Sequence, residues 1–104
     1  MANKLPDIKV AISDPSDVRV VHKYKISLSD FNMFLVKSSV ILDIAEQDGD
    51  VFMWVERPAD GNIDCVGRQF EVFGTGHDIP PKARKFIKTL HHSSGLVLHY
   101  YELI

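Results

Sequence analysis

VILDIAEQDGDVFMWVE, residues 40–56, is the stretch that most clearly indicates a β fold. Apolar and polar residues alternate on both sides of Asp48-Gly49, which is the pattern of two half-buried strands. Asp-Gly between two such runs favours a tight hairpin, because glycine adopts a positive φ without steric cost. We therefore predict two antiparallel strands that are joined by a turn at residues 47–50.

The two strands of this hairpin differ in how their apolar residues are distributed. Alternation would divide the first strand into two faces, Val40, Leu42 and Ile44 on one and Ile41, Asp43 and Ala45 on the other. The second strand is apolar on both faces, Val51, Met53 and Val55 on one and Phe52 and Trp54 on the other. A strand of the second kind is usually covered on both sides. We expect it to lie in the middle of a sheet or to bury one face against a partner chain.

The rest of the chain shows similar alternation. Residues 82–90 fit either a strand or one short helix near 81–86, because their apolar residues also have helical spacing. About six or seven short strands separated by turn residues indicate a mainly β fold, in the range from all-β to α+β. The expected architecture is a small antiparallel sandwich or barrel. The further predicted strands are residues 18–26, 31–36, 68–73 and 96–103.

The length of 104 residues allows one hydrophobic core and hence one domain, which we place at residues 18–104. Residues 1–17 contain an alternating run from Ile8 to Ile12, which predicts either an edge strand or an N-terminal arm. The start of the chain lacks the apolar segment of a secretory signal, and no apolar run is long enough to span a membrane. We therefore expect a cytoplasmic protein.

The reactive side chains form no recognisable catalytic or metal site. The single cysteine, Cys65, excludes an internal disulfide and a cysteine-based zinc site. His91 and His92 are adjacent and would point to opposite faces of a strand, which makes a shared metal ion difficult. We predict no catalytic residue, no metal and no cofactor, and hence a non-enzymatic protein. The net charge of −2 disfavours nucleic acid as a partner.

Charge is distributed unevenly along the chain. Residues 43–64 contain seven acidic side chains and one basic side chain, a net charge of −6, whereas residues 82–88 contain four basic side chains and no acidic one. An acidic surface can mimic nucleic-acid phosphates and bind a basic groove of another protein. The predicted partner-binding residues are Asp43, Glu46, Asp48, Asp50 and Trp54.

A glycine-containing loop, residues 74–77, precedes the basic run. Its glycines would let successive backbone N–H groups converge on an anion, and with the basic run it could hold a phosphate-bearing ligand. The alternative is a turn in which both glycines adopt positive φ, followed by a solvated basic turn. The predicted ligand-binding residues are Gly74, Thr75, Gly76, His77, Lys82, Arg84, Lys85 and Lys88.

Several segments of the chain match the pattern of a known family. The chain resembles small phage and bacterial proteins that are classed only as a domain of unknown function, and the most specific element is a Gly-Thr-Gly-His-x-Ile/Val-Pro loop. The resemblance covers about residues 20–102 and implies a phage or mobile-element setting without a particular chemistry. The matching segments are His22-Lys23-Tyr24, Ile41 to Gly49, Trp54, Gly74 to Pro80 and Leu98 to Glu102.

Two functional hypotheses are compatible with these observations. In the first, the protein is a counter-defence inhibitor encoded by a phage or mobile element, and it binds a host defence protein in the host cytoplasm. In the second, it is an oligomeric sponge that sequesters a phosphate-bearing nucleotide signal of host immunity. The aromatic residues exceed what one face of a small core needs, which indicates self-association, with a two-fold dimer as the expected form.

Overall fold

The computed structural model describes residues 18–60 and 63–104, and these residues form seven β-strands and no helix. The arm or edge strand predicted within residues 1–17 lies outside the described residues. No helix in this part of the chain is long and apolar enough to cross a membrane. In chain order the strands are β1 (Arg19–Lys25), β2 (Phe31–Val36), β3 (Val40–Gln47), β4 (Asp50–Pro58), β5 (Cys65–Gly74), β6 (Arg84–His91) and β7 (Val97–Leu103).

The strands form two sheets that pack face to face. Sheet A contains three strands in the order β1-β4-β3, and sheet B contains four strands in the order β2-β5-β7-β6. Every strand pairing among the described residues is antiparallel. The predicted antiparallel β-sandwich is therefore confirmed.

The β3–β4 hairpin forms where the Asp-Gly pair predicts it. Gln47 pairs with Asp50 across the turn, and the two residues between them, Asp48 and Gly49, have φ values of 55° and 89°. Positive φ at both central positions is typical of the type I′ turn, whose twist matches that of the flanking strands. Because β4 lies between β1 and β3, the strand with two apolar faces occupies the middle of sheet A.

The inner face of β4 forms the centre of the core. Val51, Met53 and Val55 are at most 2% exposed. They belong to one cluster with Phe70 of β5 and Tyr100 of β7, which are 1% and 0% exposed. Burial of large apolar side chains from both sheets supplies the main driving force for packing them together.

Tyr100 also fixes the chain where it passes from sheet A to sheet B. Its hydroxyl donates a hydrogen bond of 3.0 Å to the carbonyl oxygen of Ser27, which lies between β1 and β2. The ring packs edge to face against Phe31 of β2, with 6.5 Å between the ring centres. The buried side chain therefore satisfies its one polar atom while it holds this connection against the core.

β3 departs from the strict alternation that its sequence predicts. Its pairing with β4 shifts between Ile41 and Asp43, so Leu42 forms a β-bulge. Ile41 and Ile44, three residues apart, both lie opposite buried residues of β4. The prediction that Val40, Leu42 and Ile44 share one face is therefore wrong, because the extra residue reverses the alternation.

β6 contains a second bulge, which explains why its sequence also fits a helix. Its pairing with β7 shifts between Phe86 and Lys88, at Ile87. Ile87 packs against the core, and Leu90, three residues later, is buried in it. Inward residues three apart imitate helical periodicity, but the segment pairs with β7 as a strand. The short helix that the spacing allowed near 81–86 does not form.

Side-chain contacts connect β3 to residues of sheet B and its loops at the start, the middle and the end of β3. The carbonyl oxygen of the residue before β3 accepts a hydrogen bond of 2.8 Å from Arg68. In the middle of the strand, Lys88 Nζ lies 2.7 Å from Asp43 Oδ1. Near its end, Glu46 accepts a hydrogen bond of 2.6 Å from the backbone N–H of Ser93. β3 and β6 thus adjoin through side chains without belonging to one sheet.

The buried phenol of Tyr100 predicts a loss of stability at alkaline pH. Burial raises the pKa of Tyr100 from 10.0 to about 12, because ionisation would place a phenolate among apolar groups. Its contribution is complete below the unfolded pKa and is lost as the pH rises through the folded pKa. The free energy of unfolding of the wild type, measured by urea titration, should therefore fall relative to that of Tyr100→Phe by about 2 kcal/mol between pH 10 and 12.

The matched control for this measurement is Tyr101→Phe, because Tyr101 lies on the next position of the same strand and is only half-buried. We expect that variant to keep the alkaline dependence of the wild type. Parallel pH profiles for the wild type and Tyr100→Phe would contradict the prediction.

Candidate functional site

Sheet A presents an aromatic surface on the side that faces away from sheet B. Phe52 and Trp54 alternate with the buried residues of β4 and are half-buried, with their rings edge to face at 6.2 Å. Asp43 pairs with Trp54 across β3 and β4, and Asp50 shares this face by alternation. Lys23 of β1 also pairs with Trp54, and its ammonium lies 4.5 Å from the centre of the Phe52 ring. We call these five residues the Trp54 face.

The structure brings together three of the five predicted partner-binding residues. Asp43, Asp50 and Trp54 lie on the Trp54 face, and Asp48 is exposed in the turn at the end of the same hairpin. Glu46 lies on the opposite face of the sheet, because it pairs with a buried residue of β4.

Glu46 closes one end of the sandwich. Its carboxylate accepts hydrogen bonds from the backbone N–H of Ser93, at 2.6 Å, and from the Ser93 hydroxyl. These bonds hold the pKa of Glu46 below its usual value, because they favour the charged form. In the same turn, His92 Nε2 lies 3.1 Å from the carbonyl oxygen of Gly49. The carboxylate is therefore occupied by contacts within the chain.

Basic residues of β1 offset the acidic residues beside them. Arg19 Nε lies 2.5 Å from Glu56 Oε2, and Lys25 Nζ lies 3.4 Å from Asp50 Oδ1. A third acidic residue, Asp43, is paired with a lysine of sheet B. Residues 43–64 are strongly acidic when counted along the chain. On the folded surface, however, their carboxylates lie among basic side chains from other strands, so the two signs are mixed.

The loop from Gly74 to His77 forms a tight turn. The His77 N–H donates a hydrogen bond of 3.1 Å to the carbonyl oxygen of Gly74, and Gly76 has a φ of 89°. Gly74 ends β5 without a positive φ, so one glycine of the pair, and not both, uses the left-handed region. The His77 ring lies against Gly74, where an added Cβ would come within 2.9 Å of the His77 Cε1 atom.

Thr75 anchors this loop to sheet B through a histidine. Thr75 Oγ1 lies 2.9 Å from His99 Nε2, and the other ring nitrogen, Nδ1, lies 2.9 Å from Thr89 Oγ1. The His99 imidazole thus joins the loop to β7 and β6. The Gly-Thr-Gly-His loop and the histidine of the closing strand are therefore parts of one hydrogen-bonded unit.

A cavity of about 520 Å³ lies beside the loop. Gly74, Thr75 and His77 line it together with mainly apolar residues, among them Leu28 and Leu96. None of the four residues of the basic run lines it. The structure does not bring the loop and the basic run together around this cavity.

The four basic side chains within residues 82–88 do not form one cluster, because they contact different parts of the protein. The Arg84 side chain is 7% exposed, and its Nε atom lies 2.6 Å from Glu71 Oε1. Lys82 approaches the same carboxylate at 3.7 Å, whereas Lys88 is paired with an aspartate of β3. Lys85 lines a separate groove.

This groove, of about 270 Å³, runs between β3 and β6. Arg68 and Lys85 contribute cations to its lining, and Glu102 contributes a carboxylate. Arg68 donates two hydrogen bonds to Glu102, at 2.6 and 2.8 Å, and these raise the pKa of Arg68. No ion pair joins Lys85 to another described residue. The sequence analysis missed Arg68, because its position here depends on the pairing of distant strands.

Comparison with known proteins places the chain in a family. A family model described as Domain of unknown function (DUF7352) matches residues 18–104, which include every strand described above. The chain belongs to this family. No curated protein and no solved structure matches the chain. The family description assigns no activity, so the functional argument rests on the surfaces of the sandwich.

The two glycines of the loop predict unequal effects on stability. Gly76→Ala should lower the free energy of unfolding by about 1 kcal/mol or more, because alanine is strained at positive φ. Gly74→Ala should cost less, because the atoms nearest to its new methyl group belong to the exposed His77 ring, which can turn away. Urea unfolding of both variants measures the difference, and equal losses would contradict this account of the turn.

Proposed function

We propose that this protein is a non-enzymatic binding protein that docks on another protein through the Trp54 face. The observation that carries the proposal is the placement of Trp54 on the middle strand of sheet A, on the side that sheet B does not cover. The core is completed on the opposite side of the same strand. Phe52 and Trp54 therefore leave aromatic surface available to a partner.

The composition of the Trp54 face supports a protein partner. Binding energy in protein interfaces is concentrated in a few aromatic and arginine side chains, and polar groups around them exclude water. Here the two aromatic residues lie at the centre, and Lys23, Asp43 and Asp50 surround them. The face belongs to the central strand of a sheet and its two neighbours, so its backbone is fixed before binding.

The Trp54 face carries charges of both signs, which favours binding through shape and paired charges over mimicry of nucleic-acid phosphates. Phosphate mimicry would require a cluster of carboxylates without nearby cations. The Trp54 face instead combines Asp43 and Asp50 with Lys23, and β1 supplies further basic residues at its border. Charges of both signs would orient a partner and reject wrongly placed ones.

We further propose that the protein is encoded by a phage or mobile element and acts in a bacterial host. The family resemblance of the loop and its neighbouring segments supports a phage or mobile-element protein. In that setting the partner would be a host defence protein in the cytoplasm, and the effect of binding would be inhibition.

The test uses the full chain, immobilised to capture a partner from a bacterial host lysate, and then measures the affinity of the purified pair by calorimetry. Trp54→Thr keeps a residue that is favoured in strands and removes the central ring. We expect it to weaken binding by at least about tenfold, as for an interface hot spot.

The matched control is Tyr101→Thr, which removes a half-buried aromatic residue from the outer face of sheet B. It should leave the affinity for the partner unchanged. A partner that binds the wild type and Trp54→Thr equally would refute docking at this face, and so would failure to capture any specific partner.

The alternative function, an oligomeric sponge for a phosphate-bearing nucleotide, is supported by the groove between β3 and β6. Arg68 and Lys85 both line it, and Lys85 has no carboxylate partner among the described residues. The groove volume of about 270 Å³ is small for a whole nucleotide. A second copy of the chain would therefore have to complete the binding site, which is why this alternative requires an oligomer.

This alternative predicts that cyclic or linear nucleotides at millimolar concentration raise the melting temperature of the protein. Lys85→Gln should abolish the increase, because it removes the unpaired cation of the groove. Lys82→Gln is the matched control, because Lys82 is in the same segment but does not line the groove. If no nucleotide stabilises the wild type, the sponge hypothesis is wrong.

A further inference from the structure

The cavity beside the loop from Gly74 to His77 lies apart from the Trp54 face and from the groove between β3 and β6. Its volume of about 520 Å³ falls within the range of roughly 300 to 1,000 Å³ that is typical of small-molecule sites. Leu28 and Leu96, which are 42% and 50% exposed, leave apolar surface open to it. Its aliphatic lining consists of Leu28, Val72, Leu96, Val97 and Leu98.

Hydrogen bonds fix each wall of this cavity. The connection between β1 and β2 forms one wall and is held by the hydroxyl of Tyr100. The loop after β5 forms the second wall and is anchored where Thr75 contacts His99. The turn between β6 and β7 forms the third wall, and there the His92 N–H donates a hydrogen bond of 2.8 Å to the carbonyl oxygen of Leu96. A ligand would therefore enter a site that is already formed, at a low cost in conformational entropy.

The backbone of β5 contributes hydrogen-bonding groups to the cavity. β2 pairs with β5 only as far as Phe70, so no described strand lies beside Val72 and Gly74 on that side. The Val72 N–H donates a hydrogen bond of 2.8 Å to Asp30 Oδ1, and the backbone groups of Val72 therefore point away from β7. Those of Gly74, two residues later, point the same way. Both residues line the cavity.

Two of these four backbone groups are occupied and two are free. Asp30 occupies the Val72 N–H, and the Gly74 carbonyl oxygen accepts a hydrogen bond of 3.1 Å from the His77 N–H. The Val72 C=O and the Gly74 N–H have no hydrogen bond to another described residue. A further strand would need both groups of each residue. The two free groups, an acceptor and a donor, suit a small molecule instead.

The lining of the cavity favours an uncharged ligand. No aspartate, glutamate, lysine or arginine is among the described residues that line it. An ionised ligand would lose part of its hydration here without gaining an opposite charge. Among the same residues His77 is the only titratable one, and it is exposed to solvent. The cavity thus differs from the groove of the sponge alternative, which contains cations.

We propose that this cavity binds an uncharged, mainly apolar small molecule that carries an amide-type acceptor and donor. The apolar part of the ligand packs against the leucine and valine side chains of the walls. Its acceptor receives the Gly74 N–H, and its donor binds the Val72 C=O. The inference does not depend on the proposed function, because no residue of the Trp54 face lines the cavity.

The test is a titration of the nitrogen-15-labelled full chain with N-acetyl-tryptophanamide, followed by NMR. This probe is uncharged and joins an apolar indole ring to two amide groups. We expect saturable shifts of the backbone amide signals of Val72 and Gly74, with a Kd of about 1 mM or tighter. The amide signal of Trp54 should not shift comparably.

Two related probes test the chemical class of the ligand. 3-Methylindole keeps the ring but has no amide, and N-acetyl-tryptophan at neutral pH carries a carboxylate in place of the terminal amide. Each should bind at least about fivefold more weakly than the amide probe. The first leaves the free backbone groups of β5 unpaired, and the second brings a charge that no side chain offsets.

Substitutions on two different walls test the location. Leu96→Gln and Leu28→Gln should each weaken binding by at least about fivefold, because they remove apolar surface that the ligand covers. The matched control is Leu42→Gln, since Leu42 is 49% exposed and does not line this cavity. It should bind like the wild type. The dispersion of each NMR spectrum verifies that the variant is folded.

The proposal would be overturned by a wild type without saturable shifts, or by shifts that are largest outside the cavity. It would also be overturned if both leucine variants of the cavity kept the wild-type affinity, or if Leu42→Gln lowered the affinity equally. Equal binding of N-acetyl-tryptophan would refute the preference for an uncharged ligand. Equal binding of 3-methylindole would refute recognition by the free backbone groups.

Discussion

The packing of the inner face of β4 against sheet B is the contact on which the rest of this structure depends. Val51, Met53 and Val55 meet the buried rings of β5 and β7 in a cluster with almost no exposed surface. Because side chains alternate along a strand, turning these three inward turns the residues between them outward. The aromatic surface of Phe52 and Trp54 is thus a direct consequence of the core, and no rearrangement within sheet A could bury it without opening the core.

The folded surface differs in charge from the order of charges along the chain. Residues 43–64 are strongly acidic, but β1 joins β4 from one side and brings its basic residues among the acidic ones. The basic run at residues 82–88 is divided in the same way, because alternate residues of a strand face opposite directions and the bulge in β6 changes the phase. A count over consecutive residues therefore describes a β-protein surface poorly, since neighbours on a sheet come from distant parts of the chain.

Local patterns predicted the fold well, and long-range contacts limited what could be predicted of the site. The hairpin at Asp48-Gly49 and the central position of β4 follow from turn chemistry and from two apolar faces, which are properties of short segments. The bulge at Leu42 leaves no local signal, so the faces of β3 were assigned wrongly. The occupation of Glu46 by Ser93 could not be predicted, because it depends on how two distant turns meet.

The bulges at Leu42 and Ile87 have a consequence for how this fold can change through insertions and deletions. Each adds one residue to a strand, and the two strands adjoin where sheet A meets sheet B. A bulge disrupts the regular backbone ladder of a strand, and these two lie on the edge strands of different sheets. Changes in chain length are ordinarily absorbed by loops. In this chain, two strands have each accommodated one extra residue while keeping their pairing on both sides of it.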